Sequence, residues 1–142
     1  MIRHFHVQAG QRPHAVEAEV ILGGADLSVY IGGGQTYHIG AAALAVPRQS
    51  LADAAVHSAS ASVLCVVGHK EDELARQAAL ELAAWSQCVV NVAIGMHIDG
   101  ATPADIRALS ENYAKVLAEI KAQLPSPWTG KAWLSEVQSK SF

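Results

Sequence analysis

The sequence predicts an α+β domain in which an antiparallel β-sheet carries two helices on one face. In the first half of the chain, short runs of alternating apolar and polar residues are separated by glycine-rich breaks, with no helical segment between them. That pattern is typical of antiparallel strands. The second half has the order helix, strand, helix, and two such helices can cover one face of the sheet. With 142 residues we expect one domain, residues 1–124, followed by a tail, residues 125–142.

The strands of the first half are predicted from period-two alternation and from apolar runs. They cover residues 5–8, 15–20, 26–31 and 38–46, and the breaks between them are rich in glycine or end at proline. The following stretch, 50–60, is rich in Ser and Ala and fits a loop, a short helix or an extended lead-in. Residues 62–67 then predict a further strand that stops at Gly68.

Two helices and one strand are predicted in the second half. The first helix follows His69, because the acidic residues 71–73 suit a helix N-terminus and apolar residues recur at helical spacing up to Trp85. A buried strand covers 88–94. Thr102 and Pro103 then supply a hydroxyl N-cap and a first-turn proline, and this second helix continues to Leu124.

The composition excludes several classes of protein. Hydrophobic residues make up 51% and charged residues 16%, which excludes intrinsic disorder. The charged fraction is below that of an ordinary soluble surface, so we expect part of the surface to be covered by a second copy or by another protein. The net charge of −3 provides no basic field, and we therefore expect no nucleic acid and no membrane as partner.

The ends and the cysteines indicate a cytoplasmic protein. The N-terminus has no apolar segment typical of a secretory signal, and the longest apolar stretch, 39–46, is far shorter than the roughly 20 residues of a membrane span. Cys65 and Cys88 lie in predicted buried strands, so we expect two buried free thiols. The tail contains Trp128 and Trp133, large aromatics that we expect to pack on the protein's own core or on a partner subunit.

Three of the seven histidines lie beside glycine at predicted element ends. His38 follows the triple glycine 32–34, His69 follows Gly68 at a strand-to-helix turn, and His97 follows the last strand. Strand ends next to glycine are common places for binding sites, although each histidine alone is more often structural. Gly68 at the start of a helix also leaves free backbone N–H groups that suit an anion, with Lys70 as counter-charge or as an ordinary helix-cap lysine.

The motifs of several enzyme classes are missing from the sequence. It contains no dinucleotide fingerprint, no Walker A motif, no nucleophile elbow, no Cys-x-x-Cys and no His-Glu-x-x-His. From the residues alone, we expect an α+β domain with a histidine-rich polar rim, and the ligand of that rim is not identified.

Three segments resemble a known family. These are Tyr37-His38-Ile39-Gly40-Ala41-Ala42-Ala43-Leu44, Gly68-His69-Lys70-Glu71-Asp72-Glu73-Leu74-Ala75 and Gly95-Met96-His97-Ile98-Asp99-Gly100-Ala101-Thr102. In this order they resemble the small D subunit of gallate and related hydroxyarene decarboxylases, the LpdD-like proteins. The resemblance runs from about Asp26 to about Leu124 and is most specific at Gly-His-Lys-x-Asp-Glu.

The resemblance implies a non-catalytic chaperone that binds reduced prenylated FMN with the help of a divalent metal ion. Its partner is a UbiD-type decarboxylase that needs this flavin, with a separate flavin prenyltransferase as a further partner. The implied fold is that of small proteasome assembly chaperones, paired as a homodimer. On this basis the alanine-rich strand 41–45 provides a flat wall for the flavin. The flavin-binding residues are Tyr37, His38, Gly40, Gly68, His69, Lys70 and His97, and the metal ligands are His69, His97 and Asp99.

Two other functions stay open at this point. The apolar composition and the aromatic tail also suit an assembly scaffold or accessory subunit of a decarboxylase complex that has no ligand of its own. An independent metal-dependent decarboxylase is the third reading, although no nucleophile or acid–base pair stands out in the sequence.

Overall fold

The structure is a computed structural model that describes residues 2–124. Six strands form one sheet in the order β1-β2-β3-β6-β4-β5. In chain order the elements are β1 (Ile2–Ala9), β2 (Val16–Gly23), β3 (Asp26–Gly34), β4 (Ala41–Gln49), β5 (His57–Cys65), α1 (Asp72–Ser86), β6 (Val90–His97) and α2 (Pro103–Gln123). The predicted α+β class is confirmed. Among the residues described, no helix is both long and apolar enough to cross a membrane.

The sheet contains one parallel pair that the sequence did not predict. β1 and β2, β2 and β3, β4 and β5, and β4 and β6 are antiparallel, whereas β3 and β6 are parallel, with Gly34 opposite His97. The parallel pair arises because the chain passes from β5 through α1 and returns as β6 between β3 and β4. A helical connection of this kind is what parallel pairing requires.

Both helices pack on one face of the sheet, as predicted. Strand residues alternate in burial, so that Val16, Ala18 and Val20 of β2 belong to the core while Glu17 and Glu19 do not. α1 packs on β4, β5 and β6, and α2 packs on β1 and β2. The face opposite the helices carries no helix of the part described, and we call it the open face.

The two helices run in the same direction. The hydroxyl of Tyr113 donates to the carbonyl of Leu74 across 2.8 Å, and Lys121, two turns later in α2, pairs with Glu81 of α1. α1 begins just after His69 and α2 begins just after His97. The N-termini of both helices therefore lie at the end of the sheet where the motif histidines occur.

Several predicted boundaries are shifted. β5 starts at His57, so the ambiguous stretch 50–60 becomes a turn followed by a strand, and β4 starts at Ala41, which leaves His38 in the connection before it. The expectation of two buried thiols is wrong for one of them: Cys88 is buried, but Cys65 is exposed. Cys65 ends β5, which in the described part of the chain is an edge strand paired only with β4. The tail 125–142, with Trp128 and Trp133, lies outside the described residues.

Candidate functional site

Three strands end and one strand begins at the same end of the sheet, which we call the histidine end. β3 ends at Gly34 opposite His97 of β6, and β5 ends at Cys65 opposite Ala41, the first residue of β4. The connection 35–40 carries His38, the connection from β5 to α1 carries His69, and β6 ends at His97. The topology therefore brings all three motif histidines to the histidine end, although they are far apart in the sequence.

His38 is held close to the open face of the sheet by its backbone. Its carbonyl oxygen accepts a hydrogen bond of 2.9 Å from the Tyr30 hydroxyl. It also lies so near Gly95 that a Cβ at that position would overlap it. Gly95 is thus a glycine because of a close approach rather than a turn. The imidazole of His38 lies with its centroid 4.7 Å from that of His69 and 6.4 Å from that of His97.

Glu71 completes a cluster with two of these histidines. Its Oε1 is 2.8 Å from Nε2 of His38, and its Oε2 is 3.8 Å from Nδ1 of His69. One ligand atom from each of the three residues lies within 4.8 Å of the others. We call His38, His69 and Glu71 the histidine–glutamate cluster. Two imidazoles and a carboxylate are a donor set that suits zinc and other divalent transition metals.

The carboxylate of Glu71 is buried and only partly satisfied. The residue is 9% exposed, and Oε2 has no hydrogen-bond partner among residues 2–124, since the distance to His69 exceeds that of a hydrogen bond. A buried acceptor without a partner costs free energy. A cation held between Glu71 and His69 would supply the missing contact, so the residues present fit a metal ion.

Glu71 is positioned by the glycine before β4. A Cβ on Gly40 would overlap the Glu71 carboxylate, and Gly40 donates its N–H to the carbonyl of Ile94 across 2.8 Å. Glu71 is the N-cap residue of α1, yet its side chain makes no capping hydrogen bond. The side chain is directed to the histidines instead of to the helix N-terminus.

His97 and Asp99 form a separate pair beside the cluster. Nε2 of His97 is 2.8 Å from Oδ1 of Asp99. The backbone N–H of Asp99 donates to the side chain of Gln35 across 3.0 Å, and the N–H of Gln35 donates to the His97 carbonyl across 2.7 Å. Both side chains are exposed, by 52% for His97 and 90% for Asp99. Nδ1, the other ring nitrogen of His97, takes no part in this contact with Asp99.

The other predicted site residues are Gly68, Lys70 and Tyr37. Gly68 has φ of +87°, which a glycine tolerates, and it lies inside a turn that the His69 N–H closes onto the Val66 carbonyl at 3.1 Å. Lys70 is exposed at the start of α1. Tyr37 is 39% exposed and its ring covers Gly32, where a Cβ would meet it.

A shallow apolar cavity of about 620 Å³ lies on the open face. Its residues Ala42 and Ala93 are two positions along their strands from Gly40 and Gly95, against which Glu71 and His38 lie. Because side chains alternate along a strand, Gly40, Ala42 and Leu44 point to the open face, while Ala41, Ala43 and Ala45 are buried under the helices. Across the neighbouring strands the cavity is lined by Ser62, Leu64, Asn91 and Ala93. The predicted alanine wall therefore divides between the two faces, and its open side starts next to Glu71.

The sequence reasoning missed Glu71 as a site residue. Residues 71–73 were expected as acids that suit a helix N-terminus, and Asp72 and Glu73 do lie exposed in the first turn of α1. The partner of Glu71 is 33 residues away, so local patterning contains no signal for the contact. Its position directly after Gly-His-Lys was the only hint in the sequence.

Comparisons with known proteins agree with this fold and these motifs. The profile of the prenylated flavin chaperone LpdD-like domain matches residues 10–125. No curated protein sequence matches the chain.

Among solved structures, a chain in the crystal structure of a novel chaperone complex for yeast 20S proteasome assembly is similar in fold. The TM-score is 0.56 at 13% sequence identity, over 89% of this chain and 98% of the yeast one. That likeness concerns the fold alone, and it confirms the resemblance to proteasome assembly chaperones. The family profile spans most of the sequence, and the chain belongs to the LpdD-like family of prenylated flavin chaperones.

Proposed function

We propose that this protein binds reduced prenylated FMN together with a divalent metal ion and holds it, without turnover, for the maturation of a UbiD-type decarboxylase. The observation that carries the proposal is the histidine–glutamate cluster, which lies against Gly40 and Gly95, two positions along the strands from the cavity residues Ala42 and Ala93. Family membership supports the flavin. The cluster supports the metal ion, since its donor atoms lie within 4.8 Å of one another.

The metal ion is assigned to His38, His69 and Glu71. These side chains converge and leave Oε2 of Glu71 without a partner. The ligand set expected from the sequence was His69, His97 and Asp99. His97 and Asp99 are paired with each other at 2.8 Å, and we place them beside the ion, where Asp99 orients the His97 ring. Such outer partners commonly fix the orientation of a histidine at a metal site.

The two parts of the flavin match two parts of the site. The phosphate is an anion, and the ion, Lys70 and the N–H groups at the start of α1 after Gly68 provide positive charge at the histidine end. The isoalloxazine ring is flat and apolar, and the open-face cavity beside Ala42 and Ala93 offers small side chains to a flat group. Tyr37 and His97 flank that path. The bound flavin supplies the redox and carbon chemistry of the decarboxylase, while this chain binds it and excludes water.

The absence of turnover is part of the proposal. The cluster offers two imidazoles and a carboxylate and contains no hydroxyl or thiol nucleophile. We further propose that the protein is a homodimer, which accounts for the charged fraction of 16%, and that it receives the flavin from a prenyltransferase.

A maturation assay tests the function. The protein is loaded anaerobically with reduced prenylated FMN and then mixed with flavin-free UbiD-type decarboxylase, and carbon dioxide release from a hydroxybenzoate is followed. We expect the loaded protein to activate the enzyme faster than the same amount of free flavin. Equal activation by free flavin would overturn the delivery role, and carbon dioxide release by this chain alone would favour the decarboxylase reading.

The scaffold alternative is distinguished by histidine variants. A pure scaffold binds the decarboxylase equally well when His38 and His69 are alanine, and it retains no flavin. We expect the loaded wild-type protein to bind flavin and the double variant to lose it, whatever happens to the protein–protein complex.

A further inference from the structure

The two edges of the sheet differ in their chemistry. β5 is the last strand in the sheet order, with β4 on one side of it. Its nine residues, His57–Cys65, include no Lys, Arg, Asp, Glu or Pro. The opposite edge strand, β1, carries Arg3, and its His4 and His6 contact Glu19. Proteins commonly protect an edge strand from pairing by placing charges or proline in it. β1 has such protection and β5 does not.

The register identifies the backbone groups of β5 that have no partner strand within residues 2–124. The Val66 N–H donates to the Gly40 carbonyl across 2.8 Å, one position beyond the Cys65–Ala41 pair. Because hydrogen-bonding direction alternates along an antiparallel strand, the N–H groups of Ala59, Ala61 and Val63 point away from β4. Pro47, which has no N–H, lies opposite Ala59, as this alternation allows.

The side chains of β5 suit a copy of the same strand. Leu64 is 79% exposed at this edge and lies beside Leu44, which is 49% exposed. Most other members of β5 are Ser and Ala, small residues that leave room for a leucine from an opposing strand. A strand without Asp, Glu, Lys or Arg also meets its own copy without opposing like charges, because His57 lies opposite Cys65 in this pairing.

We propose that two copies of this chain pair through their β5 strands, antiparallel about a two-fold axis at Ala61, so that the two sheets become one continuous sheet. Full overlap of the strands places Ala61 opposite Ala61, and Leu64 of each copy opposite Ser58 of the other. Such an interface is isologous, as a two-fold axis requires. The inference locates the interface of the homodimer proposed above, and it needs neither flavin nor metal.

A proline at the axis tests the pairing without breaking the β4–β5 ladder. In Ala61→Pro the lost N–H is one that points away from β4, where proline is tolerated in an edge strand. The matched control is Ala61→Val, which keeps the N–H and suits a strand. By light scattering after gel filtration, we expect dimers for the wild-type protein and Ala61→Val and monomers for Ala61→Pro. A monomeric wild-type protein, or a dimeric and folded Ala61→Pro, would overturn the inference.

A cysteine at the axis tests the β5 pairing independently if the proline variant does not fold. Opposed residues of a hydrogen-bonded antiparallel pair have Cα atoms about 5.5 Å apart, a separation that a disulfide can span. In a Cys65→Ser background, Ala61→Cys is expected to form a disulfide-linked dimer under mild oxidation, whereas Gln8→Cys on the β1 edge is not. Failure of Ala61→Cys to cross-link would refute β5 pairing. Flavin retention is measured separately, so a monomer that still binds flavin would contradict the homodimer and its interface but not the flavin-binding function.

Discussion

At the scale of single residues, Glu71 is the group on which the site depends most. Its carboxylate is buried, bonded to His38 through one oxygen and unpartnered at the other. Outer-shell partners of metal sites are typically worth about 10–100-fold in affinity, and a direct ligand is expected to be worth at least as much. We predict that Glu71→Gln raises the metal dissociation constant by about 100-fold or more, measured by titration calorimetry.

Two further variants provide a control and a comparison for the metal affinity of Glu71→Gln. Glu111→Gln changes an exposed acid of α2 and is expected to leave metal affinity unchanged. Asp99→Asn distinguishes the two ligand sets: we expect a smaller loss than for Glu71→Gln, because Asp99 acts through His97. A greater loss for Asp99→Asn would show that the set expected from the sequence holds the ion.

Gly40 gives a second test of the same geometry. In Gly40→Ala the new methyl group overlaps the Glu71 carboxylate, so we predict that Glu71 is displaced and metal binding is lost while the fold is kept. Gly23→Ala is the control, because no atom lies within 4 Å of a Cβ at Gly23. Metal binding by both variants is measured by equilibrium dialysis, and unchanged binding by Gly40→Ala would contradict the assignment.

The sequence predicted the histidines of this site but not Glu71, because the histidines have a local sequence signal and the contact of Glu71 is long-range. The histidines stand out locally because each follows or precedes glycine at an element end, and the structure places two of them, His38 and His69, in the cluster. Glu71 has the same local pattern as Asp72 and Glu73, which are ordinary first-turn acids. Only the pairing of β4 with β5 and β6 brings Glu71 against His38, and that pairing is not readable from local patterning.

At the scale of elements, the N-terminus of α2 is fixed by a capping box. The Thr102 hydroxyl accepts from the Asp105 N–H, and the Asp105 side chain accepts from the Thr102 N–H across 2.8 Å. The sequence predicted this start from Thr102 and Pro103. We expect Thr102→Ala to lower the free energy of unfolding by about 1 kcal/mol, while Thr102→Ser keeps the hydroxyl and most of the stability. Urea denaturation of both variants measures the difference.

Asp105 gives this cap a dependence on pH. Its hydrogen bond with His14, followed by those with the backbone and side chain of Thr102, lowers the pKa of Asp105 from 3.8 to about 2. A lowered carboxyl pKa stabilises the fold fully above 3.8, and the stabilisation disappears as pH falls through about 2. We predict that Asp105→Asn is less stable than wild type near neutral pH and that the two converge in acid. Unfolding curves at a series of pH values test this, with Glu111→Gln as a control that should follow wild type throughout. A difference independent of pH would contradict it.

The order of elements was predictable, but the neighbours of β6 were not. Alternation identified the strands of the first half, because each has one buried face. The sequence contains no signal that β6 enters between β3 and β4, since that position depends on where α1 returns the chain. The parallel β3–β6 pair is nevertheless what brings His97 to the histidine end, where His38 lies.

At the scale of the whole molecule, the sheet separates two tasks. The helix-covered face holds the core, and the open face carries a shallow apolar cavity, with the polar cluster at the histidine end of the same sheet. A chaperone for a flavin needs both a flat apolar surface and a site for a phosphate. The apolar composition indicated that some surface would be covered, and the structure offers two surfaces of that kind, the open-face cavity and the edge at β5.

Direct binding of the reduced flavin tests the central claim most directly. The protein is mixed anaerobically with reduced prenylated FMN and a divalent metal ion, passed through gel filtration, and the flavin and metal in the protein peak are quantified by mass spectrometry. We expect about one flavin and one metal ion to be retained per chain, and both to be lost in a His38→Ala, His69→Ala double variant. A protein peak that contains neither flavin nor metal, or a double variant that retains both, would contradict this claim.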